Sequence, residues 1–454
     1  MARAGPEQTA ETSFGWGWRA LLGLVLVVFT WMYAQHPVGR FTRGGLIHGD
    51  GVYYYAYARS LLRDGDVDFR NDYALLGNPH ARPVTATGLP ENRFTIGPAV
   101  LWAPSFLVAE GVMRVGAAAG ARVGPTDGSA PLQQRITLYA SVLWGLAAIV
   151  LSALLARRFV SARLAGLAAL AILLASPLPW YMLYQPSWPH AASAFAVAAF
   201  VYTWHSGLMT RGTRGWIALG LLAGLMALVR PQNVVFTLLP AYELGARLAR
   251  SRGRGGERPR AVILGALAFA AALVLAFSPQ MLAWWSLFGA PLTIPQGADF
   301  MRWGESRWAA TLFSSRAGLF AWTPIVYVAI LGLVVAAWRG ASRERVIDEE
   351  ISTHVRSRVE PAELPEDAPE DAPERATTTT TITRVTTTVT PRPGARGDPQ
   401  ARLTAALLLA AFALQCYVNG SVDDWWGGWA YGGRRYVGCT VVFVVGLGLA
   451  LDRL

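Results

Sequence analysis

The chain has 454 residues, of which 53% are hydrophobic and 15% charged, against roughly 25% charged in an average soluble domain. Its formal net charge is +11, and with no lysine in the sequence all of the basic residues are arginine. This composition excludes an ordinary soluble domain, and no segment gathers the basic charge as a nucleic-acid-binding surface would.

Mostly apolar runs, each long enough to cross a hydrocarbon core about 30 Å thick, recur along nearly the whole length. The expected fold class is therefore an all-α polytopic membrane protein with about ten transmembrane helices. The first run, 21–34, follows Arg3 and Arg19 and lacks a convincing small-residue cleavage site after it. It reads as an uncleaved first helix with a cytoplasmic N-terminus.

A long polar loop, 37–135, follows. It contains His48-Gly49-Asp50-Gly51-Val52-Tyr53-Tyr54-Tyr55 and then Arg59-Ser60-Leu61-Leu62-Arg63-Asp64-Gly65-Asp66. Tyr54, Tyr57, Ala58 and Leu61 share one helical face and Arg59 and Arg63 another, so a short amphipathic surface helix is expected, stopped at Gly65. Asp50 stands where an N-cap belongs, and capping alone would account for it. Within the same loop the run 96–116 carries Pro98, Pro104 and Glu110. Counted as a span, it would put Arg157, Arg158 and Arg163 outside, against the positive-inside rule. An interfacial helix is the expectation there.

Later runs cover 136–156, 163–181, 190–208, 215–230, 232–248, 261–287, 318–338, 402–418 and 435–451. Arg157-Arg158, Arg211/Arg214 and the run Arg247 to Arg260 mark the cytoplasmic ends. The outer turns then include Tyr184-Gln185-Pro186-Ser187-Trp188-Pro189-His190 and the loop 288–317. Arg230-Pro231-Gln232 ends another span on that side, where an arginine could also simply snorkel. His190 at a helix start could equally be a hydrogen-bonded structural residue. The segment 341–401, with Pro-Glu-Asp repeats and a threonine tract, lacks apolar surface for a core and is expected to be a disordered cytoplasmic insertion. It separates a module over 1–340 from the last two spans, 402–454.

The outer loop 419–434 reads on into the last span as Asp423-Asp424-Trp425-Trp426-Gly427-Gly428-Trp429-Ala430-Tyr431-Gly432-Gly433-Arg434-Arg435-Tyr436. Tryptophans at this depth are either belt anchors or stacking surfaces. An outward arginine pair among glycines suits a phosphate, whether of a ligand or of a headgroup. Cys416 and Cys439 show no metal-ligand spacing and read as small buried hydrophobes. Span interiors carry almost no ionisable residues, unlike ion-coupled transporters. Phosphate-loop, dinucleotide, zinc-peptidase and nucleophile-elbow motifs are absent from the sequence.

These residues resemble the polytopic GT-C glycosyltransferases that use polyprenyl-phosphate-linked sugars, and within them the family 39 protein O-mannosyltransferases and the aminoarabinose transferases of lipid A. The matching positions are Asp50, Tyr54, Ser60-Leu61-Leu62 and Asp64-Gly65-Asp66, followed by Gly97-Pro98 to Trp102-Ala103-Pro104. The resemblance covers 45–110 in sequence pattern and about 15–340 in topology. It implies a GT-C-like fold in a bacterial cytoplasmic membrane, both termini cytoplasmic, with an active site on the periplasmic side and an inverting displacement. Asp50 would then be the base or acceptor-positioning carboxylate. Arg434 and Arg435, with Arg230 and His190, would hold the donor phosphate, and Tyr54, Trp425 and Trp426 would touch substrate. The acceptor would be a glycan, lipid or protein, and Mg or Mn could assist. Two departures matter: Gly49-Asp50-Gly51 stands where the family 39 enzymes have an acidic pair, and His190 stands where related transferases carry a second aspartate. Both leave the metal open. The competing expectation is a non-catalytic flippase or assembly protein for lipid-linked sugars.

Overall fold

The computed structural model describes residues 16–35, 47–251, 258–339, 398–428 and 430–454, and the backbone of 345–352 and 384–391. Apart from one antiparallel ribbon, the described residues form an all-helical architecture. In that ribbon Arg345–Ser352 pairs with Arg384–Pro391, Arg345 opposite Pro391. Both strands are rich in β-branched residues, which suit extended backbone. The ribbon lies within the segment expected to be a disordered insertion, most of which falls outside the described residues.

Among the described residues six helices are long and apolar enough to cross a membrane: Trp16–Gln35, Gly97–Ala118, Pro131–Ala156, Pro259–Phe288, Pro399–Ser421 and Arg434–Leu451. Three shorter apolar helices accompany them, Ala162–Ala175, Thr213–Val229 and Ile325–Arg339. Two expected spans fall in neither group. One is His190–Ser206, an alanine-rich helix buried along most of its length. The other divides into a 3-10 turn, Pro231–Thr237, and the helix Leu238–Ser251. There Glu243 is buried against Arg211 and Arg247.

Small residues set the helix spacing. A side chain at Gly332 or Gly446 would strike the opposite backbone where Ile325–Arg339 crosses Thr440–Leu451. Gly220 and Gly224 likewise admit the backbone of Pro259–Phe288. With no hydrophobic gain between helices in lipid, such close backbone approach supplies the dispersion that holds them together.

Gly97–Ala118 meets the length criterion for a span, yet its partners lie at helix ends. Gly97 abuts the backbone of Leu228 and Val229, Trp102 donates to Ser141 Oγ, and Glu110 accepts from Gln133. The helix thus starts beside the end of Thr213–Val229 and runs back along the stretch that precedes Ala140–Ala156. The opposite end of the bundle carries Arg158 beside His205 and the Arg211–Glu243–Arg247 cluster.

The helix Asp50–Arg59 departs from the amphipathic expectation. Both of its faces are buried, including Tyr53, Tyr55, Tyr57 and Arg59. Tyr55 donates to the carbonyl of Gly128, while Arg59 bonds Asp64 and the fully buried Asp72. The surrounding loop covers the face that the sequence assigned to solvent. Gly65 ends the following π-turn in the left-handed conformation, as expected of a glycine stop.

Candidate active site

Gly49, with φ of 51°, is the N-cap of the helix that follows, and Asp50 is its first residue. No side-chain cap hydrogen bond forms there, so capping does not account for Asp50. Its carboxylate bonds other segments instead. Oδ1 lies 3.0 Å from His80 Nε2 and Oδ2 accepts from Arg434 Nη1 at 3.3 Å. Gly51 allows this placement, because any side chain there would collide with Ser187. Burial opposes ionisation of Asp50. The His80 hydrogen bond and the Arg434 charge outweigh it and hold the carboxyl below its ordinary range.

Arg434 lies over the Trp188 ring, 4.7 Å from its centroid, an arrangement that favours a cation electrostatically. It is the first residue of a 3-10 turn, Arg434–Cys439, packed against His190–Ser206. Asn233 ties three segments together there: it donates to Ser193 Oγ, and Gly438 is bare enough for Ser193 and Asn233 to approach it. This knot joins the segments that carry His190, Arg230 and Arg434.

His190 Nδ1 lies 2.6 Å from Arg230 Nη1, and its ring packs on Tyr181 at 4.2 Å. The Tyr54 hydroxyl feels the charges of Arg230, Asp50, Arg434 and Arg435 together. Burial and the Asp50 charge raise it, despite the arginines, so it stays neutral and able to donate. Arg435 is held by the carboxylate and carbonyl of Asp424. Trp425 and Trp426 pack edge to face at 5.8 Å and line one cleft with Gly432, Gly433, Arg434 and Arg435. Arg316 stacks over Trp426.

Three guanidinium groups, those of Arg230, Arg434 and Arg435, therefore face two carboxylates, Asp50 and Asp424. Among the described residues no carboxylate pairs with Arg230, whose near neighbours are His190, Tyr54 and the Gln232 amide, which accepts from its Nε at 2.9 Å. Arg230 is half-buried; a partly desolvated cation without a counter-charge is costly, and an anion is the partner that removes the cost.

All eight residues expected to form the site lie in this region. His80, Trp188 and Asp424 are the additions. No local signal marks His80, which lies 30 residues beyond Asp50 in a stretch without periodicity. Among the described residues a divalent cation would find Asp50 and His80 alone as donors, with the positive Arg434 on the second carboxylate oxygen. Among the described residues no group of three His, Cys, Asp or Glu could hold a metal. This donor set does not fit a metal site, and no step below is routed through one.

No family model matches the chain, and no curated protein matches it. Two solved structures share its fold. One is the oligosaccharyltransferase of Archaeoglobus fulgidus in the apo form, at 12% identity and a TM-score of 0.55, covering 97% of this chain and 51% of that one. The other is the archaeal oligosaccharyltransferase AglB from the same organism, in complex with an inhibitory peptide and a dolichol-phosphate. It matches at 13% identity and a TM-score of 0.51, covering 96% of this chain and 51% of that one. The chain spans about half the length of each. The likeness is one of fold alone, and it does not single out family 39.

Proposed function

We propose that the chain is a membrane glycosyltransferase that moves a sugar from a polyprenyl-phosphate donor to a hydroxyl of a glycan, lipid or protein acceptor, on the periplasmic side of a bacterial cytoplasmic membrane. The observation that carries this reading is the Asp50–Arg434 pair close to Arg435 and Arg230, the last of which has no carboxylate partner among the described residues. An anionic lipid phosphate supplies that partner, and Asp50 lies next to it as a base.

The acceptor hydroxyl attacks the anomeric carbon while Asp50 takes its proton. The new oxygen–carbon bond forms as the bond from that carbon to the phosphate oxygen breaks. Negative charge collects on the departing lipid phosphate, where Arg434 and Arg230 stabilise it in a water-poor site. The donor is already activated, so neither a nucleotide nor a covalent intermediate is needed, and one displacement inverts the anomeric configuration. Tyr54 donates to the phosphate, and Trp425 and Trp426 offer faces for the sugar or the prenyl chain. The dolichol-phosphate held by AglB supports a lipid phosphate as the ligand class.

The test compares envelope glycans by mass spectrometry in a deletion strain carrying wild type, Asp50→Asn or no gene. The reading expects one glycan to be lost in both the empty and the Asp50→Asn strains. Unchanged glycans in the empty strain would sink it.

A further inference from the structure

The loop that brings His80 to Asp50 is built with more contacts than a connection needs. Asn78 accepts at Oδ1 from the backbone of Arg82 and from the Tyr53 hydroxyl, and its amide donates to the Arg82 carbonyl. The Tyr53 hydroxyl in turn accepts from the backbone N–H of His80 at 2.8 Å. The imidazole lies flat on the Tyr53 ring, 5.3 Å between centroids and 12° from parallel. Arg82 lies over that same Tyr53 ring and over Phe94.

Directly after His80, Ala81 adopts φ of 45°, a left-handed conformation costing a non-glycine residue about 1 kcal/mol or more. Strain of this kind persists only where the surroundings over-determine it. Here the surroundings fix Arg82 on one side of Ala81 and, on the other, an imidazole 3.0 Å from Asp50. The charged and titratable groups facing it are Asp50 and Tyr53, with Arg82 beyond the ring and Arg434 across the carboxylate.

We propose that His80 is the positioning residue for Asp50: its Nε2–H donates to Oδ1, fixing the carboxylate so that the second lone pair of Oδ2, the one Arg434 does not use, faces the acceptor hydroxyl. This rests on the reading of Asp50 as the base. Without His80 the carboxylate can rotate about its own bond and give both oxygens to Arg434, which makes it a poorer and misdirected base. A base displaced by about 1 Å loses on the order of a hundredfold in rate.

The experiment uses the full chain in the deletion strain, scoring glycan formed per unit of membrane-inserted protein. A parallel measurement follows binding of undecaprenyl phosphate to the purified protein in nanodiscs. His80→Ala should lower product by about tenfold to a hundredfold and leave undecaprenyl phosphate affinity within about twofold of wild type. His80→Gln, whose amide N–H reaches the same point, should restore most of the loss, and imidazole in the medium should partly rescue His80→Ala. Full product from His80→Ala beside an inactive Asp50→Asn would overturn the role of His80 alone. Equal losses of product and phosphate binding, without rescue by glutamine, would reduce His80 to a fold element. An active Asp50→Asn would overturn the base itself, and the proposal with it.

Discussion

Asp50 and Arg434 are 384 residues apart in the chain, and their side chains meet at 3.3 Å. One comes from the start of a helix in the first loop, the other from the turn before the last span. Asp50 also holds His80, so the guanidinium takes up one of its two oxygens. That arrangement sets what each substitution should do.

Asp50→Asn keeps the size of the side chain and removes its basicity. Transfer should fall by about a hundredfold to ten-thousandfold, while undecaprenyl phosphate still binds in nanodiscs. Retained transfer would remove Asp50 from the chemistry.

Arg230→Ala should act on the donor and not on the base. A charged hydrogen bond contributes about 1.5–3 kcal/mol, so affinity for undecaprenyl phosphate should drop about tenfold to a hundredfold. Arg230→Lys should recover part of it. If the alanine variant binds as wild type does, Arg230 only snorkels.

The ionisation of Asp50 links pH to stability. Its folded-state pKa is depressed from the ordinary 3.8, so the contribution is present above that value and lost as pH falls through the lower folded value. The gap in melting temperature between wild type and Asp50→Asn should therefore shrink on acidification from neutral pH to below about 4. A gap that widens would mean that the carboxylate is not stabilised by His80 and Arg434.

Arg59 and Asp72 form an ion pair at 2.9 Å, with Asp72 fully buried. Arg59→Ala leaves that carboxylate without its cation and should cost about 3–5 kcal/mol, read as a lower melting temperature of the purified protein. No loss of stability would show that the loop carries no tertiary load.

Gly97→Ala should disturb the site from a distance. The added methyl would strike the backbone of Leu228 and Val229, which immediately precede Arg230. Weaker undecaprenyl phosphate binding is expected with the helix content unchanged by circular dichroism. Wild-type binding would show that the contact can relax.

The donor set at Asp50 does not fit a metal, so chelation with EDTA should leave transfer intact. Activity lost on chelation and restored by Mg or Mn would overturn that reading.

The membrane class and most helix positions were legible in the sequence, because apolar length is a local property that any window reports. His190, Arg230 and Arg434-Arg435 could be picked out for the same reason, since each sits at the end of an apolar run, and Asp50 and Tyr54 because they open a short helical pattern in the first loop. Their mutual arrangement could not. Which carboxylate faces Arg434, which pairs Arg435, and that no carboxylate among the described residues pairs with Arg230 depend on how helices cross at bare glycines. Capping was a fair reading of Asp50 by position, until Gly49 took that place and freed the carboxylate. His80 stayed hidden because its role comes from a loop closed by Asn78, Tyr53 and a strained Ala81. The sequence by itself determined the solvent of this protein and the residues able to carry charge at the membrane surface. Only the tertiary structure decided which of them meet, since side-chain convergence across hundreds of residues is set by packing and leaves no local pattern.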